Sequence, residues 1–195
     1  MALPRRELRE LRELRELREL RELRELRELI ERVDEQDRVV GVVDRAEAIS
    51  RHWLHRIATT VCRDPEGRIL VHRRANDMSR FPGQYHWLAG GAVDIGETYE
   101  QAAARELGEE LGVVSAAPRF LFKYLCRGEI SPYWLGVHET VLTDPVTPDP
   151  AEISWYAWLT EDELQEAVRR RPFVSDGRDV LRRYLDQRPY GTSVR

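Results

Sequence analysis

Three glutamates, Glu106, Glu109 and Glu110, fall within five consecutive positions of a segment, Thr98 to Leu111, whose composition suits a helix. With Glu106 at the origin of a helical wheel, Glu110 lies at about 40° and Glu109 at about −60°, so the three carboxylates share an arc of about 100°. Ala103, Leu107 and Leu111 form an adjacent apolar stripe that can anchor the helix on a sheet, leaving the acids at the polar margin of the buried face. Like charges at these spacings repel, and Arg105 is the only basic residue of the segment. An arrangement that repels itself is best rationalised by a hard divalent cation, since Mg2+ takes carboxylate oxygens and bridges readily to substrate phosphates. Glu97, at the junction of loop and helix, can approach the same point.

The flanking elements read as a layered α/β domain. Val39 to Val43, Arg56 to Arg63, Arg68 to His72, Arg119 to Leu125, Tyr133 to Leu142 and Trp155 to Leu159 have the β-branched and aromatic character of strands. Asp64-Pro65-Glu66-Gly67 supplies turn chemistry between the second and third of these. Phe81-Pro82-Gly83 breaks the chain before the apolar stretch His86 to Val93, and Gly112 ends the acidic helix. Thr160-Glu161-Asp162-Glu163 is a capping-box pattern that opens a helix to about Arg170, and Ser175 marks a last helix ending near Asp186. Strands interleaved with a few helices predict one α/β domain over residues 34–190.

The segment from Gly91 to Val113 resembles a complete Nudix box, G-x5-E-x7-R-E-U-x-E-E-x-G-U with U aliphatic. Gly91, Glu97, Arg105, Glu106, Leu107, Glu109, Glu110, Gly112 and Val113 meet every fixed position. The resemblance implies an α/β/α sandwich with a mixed sheet that binds Mg2+ or Mn2+ and hydrolyses a diphosphate linkage, commonly in a nucleoside diphosphate derivative. It implies Glu106, Glu109, Glu110 and the Gly91 carbonyl as metal ligands. Glu109, Glu110 and Arg105 would serve catalysis, while Glu97 and Arg105 hold the loop and Gly112 closes the helix. Gly108, in the helix interior, occupies a position the family leaves free and costs up to about 1 kcal/mol relative to Ala.

A weaker likeness, over most of residues 34–185, points to the branch containing isopentenyl-diphosphate isomerases and related hydrolases. It rests on Asp34 to Asp37, Val39 to Val43, Trp53 to Arg56 and His72 to Arg74. Ala89 and Gly91 stand where those isomerases carry a catalytic cysteine and a metal-binding histidine. Without the thiol the isomerase chemistry lacks a participant, whereas the hydrolytic box is whole. Two alternatives stay open beside a hydrolase: an isomerase-like enzyme and a nucleotide-sensing module without catalysis. Glu129 resembles an isomerase metal-binding glutamate and is a candidate general base, as is Glu152; His55 matches an isomerase metal ligand, but a lone histidine entering a strand is more often structural. Arg73 and Arg74 are candidates to meet substrate phosphates. The loops Asn76 to Gln84 and Arg127 to Tyr133 are where selectivity is expected, with Tyr85, Trp87 and Trp134 available either to stack on a base or to fill the core.

Outside this domain, Arg6 to Leu29 is the triplet Arg-Glu-Leu repeated eight times. A period of three moves each leucine back by about 60° around a helix, so no apolar seam forms, and a solvated single helix within a low-complexity segment 1–33 is expected. Residues 191–195 read as a tail. The repeat is charge-neutral, so the net charge of −4 belongs to the remainder and argues against a nucleic-acid partner. No apolar run is long enough to span a bilayer, and no apolar signal core follows Met1. Two cysteines, Cys62 and Cys126, are too few for a disulfide framework and fit a cytoplasmic protein with ordinary thiols. The expected partner is a small diphosphate substrate, and a homodimer stays open.

Overall fold

The structure, a computed structural model, describes residues 28–186. The expected repeat helix lies outside the described residues up to position 27, as does the tail. Nine strands and four helices follow: β1 (Leu29–Val33), β2 (Val39–Asp44), α1 (Arg45–Ser50), β3 (Arg56–Arg63), β4 (Ile69–Arg74), β5 (Tyr85–His86), β6 (Ala89–Ala92), α2 (Tyr99–Leu111), β7 (Arg119–Cys126), β8 (Tyr133–Val141), β9 (Ile153–Leu159), α3 (Glu161–Arg170) and α4 (Ser175–Asp186). Among these, no helix is long and apolar enough to cross a membrane.

A seven-stranded mixed sheet runs β5-β4-β3-β8-β7, with β6 paired to β3 and β9 to β4. The β3–β8 pair is parallel, and all the other pairs are antiparallel. Strand alternation divides the core between the two faces. Val61, Ile69 and Val71 face α3 and α4, where Leu164, Val180, Leu181 and Tyr184 cover them. Cys62, Leu70 and Ala58 face α2, whose Ala102, Ala103, Leu107 and Leu111 are fully buried. Helices on both faces of a mixed sheet make the expected α/β/α sandwich.

Residues 29–33 were expected with the low-complexity segment, Leu29 as the end of its repeat, and are strand instead. Ile30 is fully buried and Val33 nearly so, and β1 pairs with β2 as a separate two-stranded sheet that reaches the main domain through an Ile30–Asp94 bridge. The periodic repeat ends at Leu29, so these few residues carry too little pattern of their own to announce a strand. The six-residue α1, capped by the Asp44 carboxylate on the Glu47 N–H, and the two-residue β5 are likewise too short to be read from periodicity.

Candidate active site

β6 and α2 bring the acidic cluster together. β6 lies against β3 with Gly90 opposite Thr59 and Gly91 opposite Ala58. Gly90 has φ of 148°, and a Cβ there would stand 2.1 Å from the Ala58 carbonyl oxygen, so only glycine lets the two backbones approach this closely. At Gly91 a Cβ would meet the Glu106 carboxylate at 2.5 Å. α2 begins with a reciprocal capping box between Thr98 and Gln101 and ends on Gly112, whose left-handed φ of 69° returns its N–H to Gly108.

Arg105 organises the loop before α2. Its Nε and Nη2 donate to the two Glu97 oxygens, each at 3.0 Å, and Nη2 also donates to the Ala92 carbonyl at 2.8 Å. Its Nη1 reaches Glu106 at 2.8 Å and Glu109 at 3.1 Å. Glu97 in turn accepts the Asp94 N–H at 3.0 Å, fixing the loop. Burial works against the Arg105 charge, but Glu97 and Glu106 more than offset it and hold the guanidinium protonated.

The three box acids differ in environment. Glu109 is exposed, Glu106 half-buried and Glu110 buried, its Oε2 accepting the Gly90 N–H at 3.1 Å. Burial pushes Glu106 up to about 7, with Glu109 and Glu152 adding to the effect against the pull of Arg105. Burial also raises Glu110 well above the usual carboxylate range, reinforced by Glu106 and Glu152. Glu152 arrives on the β8–β9 connection, which is tied to the end of α2 by Asp149 N–H to the Glu110 carbonyl and Thr147 N–H to the Leu111 carbonyl. Glu152 is therefore an acid outside the box that acts on both Glu106 and Glu110. Glu129 sits exposed on the β7–β8 connection and is not among the charges that act most on Glu106 or Glu110.

Arg73 and Arg74 are adjacent on β4, where the pairing with β9 shifts register between them. Arg74 lies on the α2 side, where its charge favours ionised Glu110. Arg73 pairs across the sheet with Tyr85 and Trp155, and its Nη2 donates to Asn76 Oδ1 at 3.0 Å. His55 is buried, its Nδ1 3.2 Å from the Trp53 carbonyl, and burial lowers it to about 4, which suits a neutral structural ring. Trp87 belongs to the core and donates to the Gly177 carbonyl at 2.8 Å. Cys62 and Cys126 are free and buried, and burial raises both thiols.

One participant escaped the sequence reading. Glu31, on β1, accepts the Gly96 N–H at 3.2 Å through one oxygen and Arg56 at 2.8 Å through the other. It thereby braces the box loop from a strand that pattern alone did not reveal.

Hard carboxylate oxygens on one helix face, with a glycine that clears space at Glu106, fit a divalent cation in donor type. As the side chains stand, no three His, Cys, Asp or Glu residues among those described enclose a common point, since Glu106 and Glu109 are both turned onto Arg105. Each of these carboxylates meets Arg105 through one oxygen and leaves the other for a further partner.

The family model for the NUDIX domain matches residues 53–184. An uncharacterised Nudix hydrolase of Streptomyces coelicolor is 41% identical over 145 residues, covering 73% of this chain and 80% of the relative. A prenyl-diphosphate phosphatase of Methanosarcina mazei is 32% identical over 144 residues, 70% of this chain and 81% of that protein. An isopentenyl-diphosphate Δ-isomerase of Nocardia farcinica is 33% identical over 144 residues, 71% and 82% of the two chains. The crystal structure of a Deinococcus radiodurans protein, DR0079, superposes with a TM-score of 0.68 at 28% identity, covering 80% of this chain and 98% of that one. The chain belongs to the Nudix family, and it is an enzyme of that family's pyrophosphohydrolase class.

Proposed function

We propose that the protein is a Mg2+- or Mn2+-dependent hydrolase that cleaves the P–O–P linkage of a small diphosphate, a nucleoside diphosphate derivative or nucleotide. The observation that carries this reading is the convergence of the box acids at the β6–α2 junction, with Glu106 against Gly91, Glu109 beside it on Arg105 and Glu110 on the Gly90 N–H. There burial raises both Glu106 and Glu110, and Glu152 adds charge to each. Such a group of carboxylates gains most from a doubly charged ion. Glu106, Glu109, Glu110 and the Gly91 carbonyl would hold it. When bound, the cation draws charge from phosphoryl oxygens and lowers the acidity barrier of the attacking water.

The chain's own residues do the remainder. Arg105 and Glu97 keep the loop and helix in register, and Arg74 offers a guanidinium on the same face for a phosphate oxygen. Glu152 is better placed than Glu129 to take the proton from water, because it acts electrostatically on Glu106 and Glu110. Ala89 supports hydrolysis over isomerisation, since an alanine side chain cannot deliver a proton to a prenyl double bond. The two free, buried thiols suit a cytoplasmic setting.

The test is phosphate release with Mg2+ across a panel of nucleoside diphosphate derivatives, nucleoside triphosphates and prenyl diphosphates, for the native chain and Glu110→Gln. Turnover on one class, lost by at least about 100-fold in the variant with its melting profile preserved, supports the assignment. Isomerised product from a prenyl diphosphate favours the isomerase, and binding without turnover favours a sensing module.

A further inference from the structure

The chain changes strand partner between β5 and β6, and one histidine spans the change. His86 pairs with His72 of β4, whereas Ala89, three residues on, pairs with Thr60 of β3. β3 and β4 share one paired position, Arg63 opposite Ile69, and β6 takes the β3 edge beyond it, from Thr60 to Ile57. Trp87 and Leu88 make the crossing, belong to no strand and are almost fully buried. A buried N–H left without an acceptor is costly. Here both residues donate to His86 Nδ1, at 3.0 Å and 3.3 Å.

A nitrogen that accepts two N–H groups carries no proton, so the ring proton sits on Nε2. Nε2 stands 3.4 Å from Asp176 Oδ1, a buried oxygen that accepts no other hydrogen bond among the described residues. Asp176 Oδ2 accepts the Tyr133 hydroxyl at 2.7 Å, which fixes the carboxylate from β8. Burial opposes the Asp176 charge, but His86 and Tyr133 outweigh it and hold the carboxyl below its ordinary value. Gly177 closes the arrangement from α4: a Cβ there would lie 3.3 Å from the His86 ring, and its carbonyl accepts the Trp87 indole N–H at 2.8 Å. We propose that His86 is a positioning residue for the acidic face, its ring held by Asp176 so that the crossing delivers Gly90 to Glu110 and Gly91 to Glu106. Gly90, two residues past the bend, donates to Glu110 Oε2 at 3.1 Å, and Gly91 lies against the Glu106 carboxylate. A displaced bend moves both contacts. The consequence for turnover rests on the hydrolase reading of those two glutamates; the geometry does not.

Two substitutions in the full chain divide the ring's two contacts. Asparagine carries an oxygen on Cγ where histidine has Nδ1, so His86→Asn keeps an acceptor for the bend but falls short of Asp176. His86→Gln reaches toward Asp176 and has no acceptor on Cγ. With Mg2+ present, kcat should stay within about fivefold of native in His86→Asn and fall by at least about 30-fold in His86→Gln, with KM within about twofold in both. Hydrogen exchange at the Gly90 N–H should be at least about tenfold faster in His86→Gln than in the native chain or His86→Asn. Nitrogen NMR of the native chain at neutral pH should show a bare Nδ1 and a protonated Nε2 at His86. Equal kcat in the two variants overturns the proposal, as does a loss carried by KM alone or Gly90 exchange unchanged in His86→Gln. A proton on Nδ1 also overturns it, and that measurement needs neither variant to fold. Exchange and NMR decide the positioning even where no diphosphate is turned over, so a failure of the hydrolase assignment shows separately.

Discussion

Gly91 lies directly against the Glu106 carboxylate, close enough that a Cβ would stand 2.5 Å from Oε1 and 2.7 Å from Cδ. The contact is with the end of a flexible side chain, so an added methyl displaces Glu106 before it disturbs the sheet. Gly91→Ala should therefore retain its fold, with a stability loss below about 2 kcal/mol, and lose turnover by at least about tenfold. Thermal melts alongside kcat would check this. Unaltered turnover would remove Glu106 from the reaction.

Arg105 joins Glu97, Glu106, Glu109 and the Ala92 carbonyl with one planar fork. Lysine keeps the charge but cannot hold two Glu97 oxygens and a carbonyl at once. Arg105→Lys is expected to cost about 1–3 kcal/mol, discounted from a fully buried pair because the guanidinium is partly exposed. Urea midpoints and kcat should fall together, the latter by about 10–100-fold. A shift in only one of the two would separate the loop's stability from its catalytic role.

The box and the central sheet were legible because their signals are local. Fixed spacing names Gly91 to Val113, β-branched runs name β3 and β8, and capping residues name the starts of α3 and α4. Glu31 and Glu152 illustrate what was not. Glu31 acts through Gly96, far along the chain, from a strand whose burial depends on Asp94 and Ala92 rather than on its own pattern. Glu152 was one of two candidate acids, and only the loop bonded to the end of α2 distinguishes it from Glu129. Arg73 and Arg74 look equivalent in sequence, yet Arg73 bonds Asn76 while the Arg74 charge acts on Glu110.

The two acids outside the box give opposite expectations. Glu152→Gln should reduce kcat by about 10²–10⁴-fold, the usual contribution of a positioned base. Glu129→Gln, an exposed site, should stay within about twofold of native. Rates for both variants, measured with saturating Mg2+, decide between them. The reverse ranking would return the role to Glu129.

His55 makes the fold acid-sensitive. Burial holds its ring neutral, with its pKa lowered from 6.5 to about 4, while the unfolded chain protonates near the ordinary value. The unfolded state thus binds more protons between these values, so stability is fully present above about 6.5 and declines as pH falls toward 4. The contribution is about 3 kcal/mol at most. Urea midpoints should drop across that window, and His55→Gln should flatten the dependence. An equally steep decline in the variant would assign it to other groups.

Cation binding should expel protons. Burial raises Glu106 to about 7, so at pH 6 it is largely protonated without a metal, and burial shifts Glu110 in the same direction. Ligation needs the ionised carboxylates, and each ion captured must therefore displace protons into buffer. Mg2+ or Mn2+ affinity should rise as pH increases from 6 to 8, with the proton release contributed by Glu106 fading above its own pKa. Calorimetry in two buffers of different ionisation enthalpy counts the protons, and Glu106→Gln should reduce the count. Metal uptake at pH 6 with no proton released would mean that these two glutamates are not the groups that hold the ion.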